Sequence, residues 1–240
     1  MFTGCEKHIY AAADFSIFNY TGATPSNPAD WGVYIASDTT LDTQGHTVIW
    51  TAGAVINQSS TFTKAGEGTL VMQPRGATYE GAGNAVVVAG GTLEARACTL
   101  SGAATWSSVF GGVPVTVKDG ATFKIADGVT SVTNPVTLEE GAILDIGDIT
   151  TRGASAALGA LSATGPATVR LSGTLPDSVF TNGTNFVIAA SCDAASLVNI
   201  SLDKSGLLFE TAGNCSNARL NVDGGKLVVS VKPYFYIKVR

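Results

Sequence analysis

Two groups of acidic residues are the strongest candidates for chemistry in this chain of 240 residues. Asp145 and Asp148 lie in the segment "LDIGD", shortly before Arg152. Asp119 and Asp127 flank the segment "GATFKIA". Paired carboxylates beside a basic residue are the groups that acid–base cleavage of glycosidic bonds uses. The alternation in "LDIGD" places Asp145 on the outer face of a strand and Asp148 in a turn, which solvation and turn formation explain without catalysis. We therefore assign no catalytic residue.

The remaining residues with chemical potential are sparse. His46 sits in a "GHT" turn, where any polar residue that tolerates turn geometry suffices, and His8 lies in a different part of the chain. No serine or cysteine has a base at a recognisable spacing. The Asn/Asp-rich nonapeptides that bind calcium are absent. The four cysteines have no metal-ligand spacing either. The sequence predicts no metal site and no cofactor.

The tryptophans offer flat, apolar surfaces for binding. Trp31 begins one alternating segment and Trp50 ends another, so packing in a core or cap is expected for both. Trp106 lies in the inserted segment "CTLSGAATWSSVFGG", close to Phe110. Because binding residues concentrate in protruding loops, Trp106 and Phe110 are the predicted binding residues.

Composition excludes several classes of partner. The net charge is −5, only 14% of the residues are charged, and no run of Lys and Arg exists. This composition disfavours nucleic acid and anionic membranes as partners. No apolar stretch reaches the roughly 18 residues of a membrane-spanning helix, and the N-terminus lacks the pattern of a secretion signal. At 45% hydrophobic residues the chain has enough apolar surface to fold.

A short phrase of alternating apolar residues, glycines and one large apolar residue recurs along the chain. Its clearest copies are "KAGEGTLVM" and "VVVAGGTLEA", whose leucines lie 23 residues apart. Matching positions, 18 to 30 residues apart, are Val48, Leu70, Leu93, Phe123, Leu144, Val169, Val187, Leu208 and Leu227. A period of about 20 to 30 residues made of strand and turn is typical of a stack of similar rungs.

The predicted fold is all-β, a right-handed single-stranded parallel β-helix (solenoid) of roughly eight to nine rungs. Each rung is too short for a strand–helix–strand unit, so helix is disfavoured throughout. Alternation points large apolar residues inward and Thr, Lys, Glu or Asp outward. Five of the matching positions are predicted to form one inward-facing structural column, namely Leu70, Leu93, Phe123, Leu144 and Leu227.

We predict three parts of the chain. Residues 1–30 do not fit the repeat and are interpreted as an N-terminal cap, and residues 31–232 are the parallel β-helix. In residues 233–240 an amphipathic set alternates with an apolar set, which indicates a capping strand over the last rung; the sets are Tyr234, Tyr236, Lys238 and Arg240 against Phe235, Ile237 and Val239. Cys192 and Cys215 are 23 residues apart, about one rung. They are either a disulfide between vertical neighbours or two unpaired core thiols.

The best copies of the phrase resemble the autotransporter-associated β-strand repeat of bacterial surface proteins. The residues that carry this resemblance are Lys64, Gly66, Gly68, Thr69 and Leu70, then Thr78, Tyr79 and Gly81, then Val88, Gly91, Thr92 and Leu93. The opening "TLDTQGHTVIW" is also similar to the first rung of pectin-lyase-like β-helices. The first resemblance implies a passenger-type β-helix, export, and a place outside the cell or on its outer surface.

The expected function is that of a non-enzymatic structural or adhesive element, a monomeric segment of a larger chain. A surface polysaccharide or the surface of another cell is the expected partner. The alternative is a carbohydrate-active β-helix that binds or cleaves a polysaccharide, and it requires two acidic residues and a basic one to converge in a groove. An ice-binding solenoid ranks last, since Thr-x-Thr fragments such as "TFT" at 61–63 are not expected to recur in register.

Overall fold

The computed structural model describes residues 7–17, 32–51, 53–56, 59–73, 77–79, 83–97, 112–126, 128–129, 132–151, 157–211 and 213–233. These residues are mostly β-strand. The first strands are β1 Lys7–Tyr10, β2 Phe15–Ile17, β3 Gly32–Ile35, β4 Thr39–Asp42, β5 Thr47–Trp50, β6 Gly53–Ile56, β7 Thr61–Ala65, β8 Thr69–Met72, β9 Ala77–Tyr79, β10 Ala85–Val88 and β11 Thr92–Ala95. The later strands are β12 Val115–Val117, β13 Thr122–Ile125, β14 Val132–Leu138, β15 Ile143–Asp148, β16 Leu158–Ala163, β17 Ala167–Leu175, β18 Thr184–Ser191, β19 Ile200–Phe209, β20 Gly213–Asn214, β21 Ala218–Asp223 and β22 Lys226–Val231.

The strands form two long sheets and one short sheet. Sheet A has the order β1-β4-β7-β10-β12-β14-β16-β18-β22-β21, and sheet B has the order β2-β5-β8-β11-β13-β15-β17-β19-β20. Sheet C contains β3-β6-β9. The chain visits the sheets in turn, so neighbouring strands within a sheet are about one repeat apart in sequence. From β1 to β18 in sheet A and from β2 to β19 in sheet B every pairing is parallel.

Alternation along the strands builds the core from columns of inward-facing residues. In sheet B one column of Cα partners consists of Phe15, Val48, Leu70, Leu93, Phe123, Leu144, Val169 and Leu202. Four of the five residues that the repeat predicted as structural, Leu70 to Leu144, lie in this column and are buried. The corresponding column of sheet A is Leu41, Lys64, Val88, Val117, Leu138 and Ala163.

Lys64 is a charged residue within an apolar column. Its side chain is fully buried, and its Nζ donates hydrogen bonds to the carbonyl oxygens of Gly66 at 2.6 Å, Gly68 at 2.7 Å and Gly90 at 2.7 Å. The ammonium therefore joins the turn of its own repeat to the turn of the next. Gly91, with φ of 56°, lies so close to the Gly68 carbonyl and to Lys64 Nζ that a Cβ would collide with both. This cradle explains why Lys64 is accompanied by glycines in its copy of the phrase, whereas the next copy has the apolar Val88 at the same position.

The two ends of the sheets differ from the sequence-based expectation. At the start, β1 and β2 pair in parallel with β4 and β5, so the regular pairing begins within the segment interpreted as a cap. At the far end, β22 pairs antiparallel with both β18 and β21, and β20 pairs antiparallel with β19. The segment "LNVDGGKLVVSV", predicted as a parallel rung, is a hairpin. Gly224 and Gly225 both have positive φ and form its two-residue turn.

The prediction that the matching residues form one column is consequently wrong for the residues after Val169. Leu227 is buried, but its Cα partners are Ala189 and Val222 in sheet A. Leu202 occupies the position next to Val169 in sheet B. Of the other two matching residues, Val187 lies in sheet A and Leu208 is 39% exposed. Longer strands and a change of direction near the end break the sequence spacing that the repeat maintains elsewhere.

Short helices also occur, contrary to the expectation that helix is disfavoured throughout. Helix α1 spans Asp177–Asn182 and helix α2 spans Ala194–Leu197, and a 3-10 turn covers Ile149–Thr151. Pro176 precedes α1, and the Asp193 side chain caps α2 by accepting a hydrogen bond from the Ser196 N–H. The predicted capping strand over residues 234–240 lies outside the described residues.

Candidate functional site

The outward face of sheet B carries a row of alternating charge. From Leu93 onward, the residues that directly follow those of the inward column are Glu94, Lys124, Asp145, Arg170 and Asp203. Each is the Cα partner of the next. Parallel neighbours of this kind lie about 4.8 Å apart. Opposite charges at directly facing positions stabilise the pairing of strands. We call these five residues the charge ladder.

Ion pairs within and beside the ladder are short. Glu94, with only 8% of its side chain exposed, binds Arg96 through Oε1 and Lys124 through Oε2, the latter at 3.2 Å. Arg170 Nε lies 3.0 Å from Asp203 Oδ2. Hydrogen bonds from the Ser205 side chain and backbone, with a further one from Arg170, lower the pKa of Asp203. The Glu94–Lys124 and Arg170–Asp203 pairs join neighbouring strands of the sheet.

The strongest of these pairs gives a stability prediction. Glu94→Gln should lower the free energy of unfolding by about 1 to 2 kcal/mol, because it leaves two cations facing each other beside a nearly buried amide. Glu139→Gln is the matched control, since Glu139 also lies 3.2 Å from a lysine, Lys118, but 40% of its side chain is exposed. Glu139→Gln should lower the free energy of unfolding by less than about 0.5 kcal/mol. Equal losses in urea denaturation would contradict this ranking.

A groove of about 470 Å³ runs along the ladder. Its lining residues are Glu94, Arg96, Lys124, Ala126, Asp145, Gly147, Asp148 and Ser172. Of the two cations, Arg96 directly follows β11 and Lys124 lies in β13. The carboxylates of Asp145 and Asp148 come from β15. The groove is therefore positive toward the earlier strands and negative toward the later ones. We call it the charged groove.

The first acidic pair that the sequence singled out lies in this groove. Asp145 is on the outward face, as the alternation predicts, and its Oδ1 accepts the Gly147 N–H at 2.9 Å. Asp148 ends β15, and its Oδ1 accepts the N–H of Thr150 at 2.8 Å and its hydroxyl at 2.6 Å. Both carboxylates thus hold local turns. Arg152 lies outside the described residues.

The second acidic pair and the aromatic candidates lie partly outside the described residues. Asp119 lies in an exposed turn beside Gly141, and Asp127 falls outside the described residues. The predicted binding residues Trp106 and Phe110 lie outside them too, as does Trp31. Trp50 is buried and packs edge-to-face on Phe62, with ring centroids 5.7 Å apart, which is the core role expected for it.

The histidines lie on the surface near the first strands. His46 Nδ1 is 3.5 Å from Asp14 Oδ1, and the ring of His8 stacks on Tyr10 with centroids 6.1 Å apart. Neither is near the charged groove in the register of the sheets: His8 pairs with Thr40 in sheet A, and His46 precedes β5. The structure therefore brings no histidine to the groove among the residues that it describes.

Sequence reasoning missed Glu94, Arg96 and Lys124. The signal that could have found them is the position directly after each matching apolar residue: Leu93 precedes Glu94 and Phe123 precedes Lys124. Reading that position along successive repeats produces the alternating charges of the ladder. Single-strand alternation reports only that each side chain points outward, whereas the register between strands brings them together.

Hydroxyl side chains on the outward faces also line up between neighbouring strands, although the sequence does not predict that Thr-x-Thr fragments recur in register. One apolar residue interrupts each row: sheet B has Thr47, Thr69, Thr92 and Thr122, then Ile143, then Thr168 and Ser201, and sheet A has Thr40 and Thr63, then Val87, then Thr116, Thr137 and Ser162. The hydroxyls of Thr137 and Ser162 are 3.0 Å apart. Among the described strands of sheet A, β7 alone has threonine at two successive outward positions. The rows fit cross-strand stabilisation rather than a double Thr-x-Thr surface.

Cys192 and Cys215 are free thiols, both buried in the core. Burial raises the pKa of each thiol, with Asp193 adding to the effect at Cys192. Of the two alternatives that their spacing left open, the structure has the unpaired core thiols. The reason is that the chain reverses direction after β19, so one repeat of sequence no longer corresponds to one vertical step.

Two classes of site are not found in the described part of the chain. No three His, Cys, Asp or Glu residues there are grouped so that they could hold a metal ion. The helices observed in that part are neither long nor apolar enough to span a bilayer. No family model, curated protein or solved structure matches the chain.

Proposed function

We propose that this chain is a right-handed parallel β-helix and serves as a non-enzymatic structural or adhesive element of a bacterial autotransporter-like or secreted repeat protein. Parallel pairing of strands one repeat apart, visited in turn by the chain, supports the helical course. The handedness follows from the strong right-handed preference of connections between parallel strands. The resemblance of the Lys64 to Leu70 phrase to passenger repeats supports a place outside the cell or on its surface.

The observation that carries the non-enzymatic part is the internal pairing of the groove carboxylates. Glu94 is bound by Arg96 and Lys124, while Asp145 accepts a hydrogen bond from the backbone of its own strand. A general base must offer a lone pair to a substrate proton within hydrogen-bonding reach. Glu94, which neutralises two cations, and Asp145, whose Oδ1 holds a turn and whose Oδ2 is left as an acceptor, suit a surface that binds a partner more than one that transfers protons.

Adhesion without turnover is the expected result of a direct test. The purified chain, fixed to beads, should retain polysaccharide-coated or whole-cell surfaces, whereas beads that carry the heat-denatured chain should not. The same polysaccharides, incubated with the chain, should show no new reducing ends and no unsaturated products. Lack of adhesion to every surface would refute the proposal.

A carbohydrate-active enzyme is the second candidate, because acidic and basic groups do converge in one groove. Glu94, Asp145 and Asp148 line it together with Arg96 and Lys124. Polysaccharide cleavage that the chain catalyses, and that Asp145→Asn abolishes while the fold is retained, would favour this candidate over the first. The absence of products with every polymer would favour the adhesive role.

A further inference from the structure

We propose that the charged groove binds an extended saccharide chain that carries both carboxylate and ammonium groups. This inference rests on the proposed adhesive function and names the ligand class of its surface. Three features of the groove support this ligand class: the division of charge along it, the hydrogen-bonding capacity that its side chains retain, and the direction in which it runs.

The earlier side of the groove has a surplus of positive charge and of donors. Arg96 and Lys124 together face one carboxylate, that of Glu94. Arg96 uses Nε and Nη2 toward Glu94, out of five N–H donors in a guanidinium, and Lys124 uses one of three. In the described part of the chain the remaining donors have no other acceptor. A ligand carboxylate placed here would receive charge-assisted hydrogen bonds.

The later side has the opposite character. Asp145 and Asp148 both line it; Asp148 is engaged by its own turn and by a further interaction, whereas Asp145 uses only Oδ1, for its own turn. Asp145 Oδ2 meets no donor among the described residues, and Ser172 adds a hydroxyl to the same wall. An ammonium group or sugar hydroxyls of a ligand would donate hydrogen bonds to Asp145 Oδ2 and to the Ser172 hydroxyl oxygen. A ligand of a single charge sign would satisfy one side and be repelled by the other.

The shape of the groove selects an extended, hydrophilic ligand. Its lining comes from four successive strands, β11, β13, β15 and β17, and so extends for about 14 Å across the sheet. Among the described residues that line it only Ala126 and Gly147 are apolar, so this part of the groove offers no pocket for apolar peptide side chains. These strands are paired on both sides, so a peptide cannot add to them as a further strand. A hydroxylated polymer that runs across the strands fits best.

Four polymers on β-1,4-linked sugar backbones test the inference with the wild-type chain itself. They are hydroxyethyl cellulose (neutral), carboxymethyl cellulose (anionic), chitosan (cationic) and carboxymethyl chitosan (both charges). Binding is measured by biolayer interferometry at fixed, moderate salt in mildly acidic buffer, in which the sugar amines are protonated and the carboxylates of the polymers stay ionised. Carboxymethyl chitosan should bind about tenfold or more tightly than each of the other three.

Variants then locate the site. Lys124→Gln and Asp145→Asn should each weaken binding of carboxymethyl chitosan by about tenfold. Lys118→Gln is the matched control: Lys118, like Lys124, is partly exposed and lies 3.2 Å from a glutamate, but it belongs to the turn after β12 in sheet A. Its affinity should equal that of the wild type. Circular dichroism and thermal melting confirm that each variant is folded.

Three outcomes would overturn the inference. Equal affinity for chitosan or carboxymethyl cellulose would show that one sign of charge suffices, and binding unaffected by both groove variants would place the ligand elsewhere. Absence of binding to all four polymers would also refute this ligand class. The proposed function would still stand in that case if the beads retain whole cells, and would fail separately if they do not.

Discussion

Phe123→Ala is expected to lower the free energy of unfolding by about 3 to 5 kcal/mol. Phe123 is 1% exposed and lies between its Cα partners Leu93 and Leu144, which are also fully buried. Truncation removes the buried ring and leaves a cavity that the paired strands on either side cannot close without breaking their register. Urea denaturation followed by circular dichroism measures the change.

Phe15→Ala is the matched control for this prediction. Phe15 occupies the same inward column, two strands before Leu70, but it is 38% exposed in β2 and has a Cα partner on one side among the described residues. Its truncation should cost about 1 kcal/mol, since less apolar area returns to water and no closed cavity forms. Equal losses for the two variants would mean that the column does not form the core.

The buried Lys64 is expected to make the stability of the protein depend on pH, which is the second large effect that we predict. Burial lowers the pKa of Lys64 from its usual 10.5 to about 8, although the nearby Asp42 carboxylate acts in the opposite direction. Between these pH values the unfolded chain binds the proton more tightly than the folded chain. The free energy of unfolding therefore rises as pH increases from about 8 to 10.5. The full difference corresponds to about 3 kcal/mol.

The measurement compares the wild type with Lys64→Met over this pH range. The methionine side chain of this variant is about as long as that of lysine but does not titrate. The free energy of unfolding of the wild type, relative to that of Lys64→Met, should therefore increase with pH. Val88→Ala is the control, because Val88 is the Cα partner of Lys64 in the same column and its truncation retains the lysine. Its difference from the wild type should stay constant. A constant difference for Lys64→Met would refute the buried, titrating ammonium.

The Lys64 cradle shows what a repeated phrase can and cannot reveal. The spacing of Lys64, Gly66 and Gly68 is visible in the sequence, and the resemblance to a known repeat rests on it. Alternation, however, assigns a lysine to the outer face as a rule, whereas here it points inward. The carbonyls of Gly66 and Gly68 in its own repeat, together with that of Gly90 in the neighbouring repeat, make that position tolerable for an ammonium.

The end of the chain shows a second limit. The two-residue Gly224-Gly225 turn is a hairpin signal in the sequence, yet the apolar pattern around it also fits a rung. Antiparallel and parallel strands share the same alternation of inward and outward residues. Pattern alone therefore cannot distinguish them, and the pairing of β22 with β18 decides the direction.

By itself the sequence determined that the chain is mostly β, that its repeats stack, and that Leu70, Leu93, Phe123 and Leu144 share one inward column. These features follow from local periodicity, because a period of two within strands and a regular spacing between them leave few alternatives. The tertiary structure alone decided the charged groove, the inward Lys64, the free cysteines and the antiparallel end. Each depends on which residue of one strand faces which residue of the next, and that register arises from turns and insertions of unequal length rather than from any single repeat.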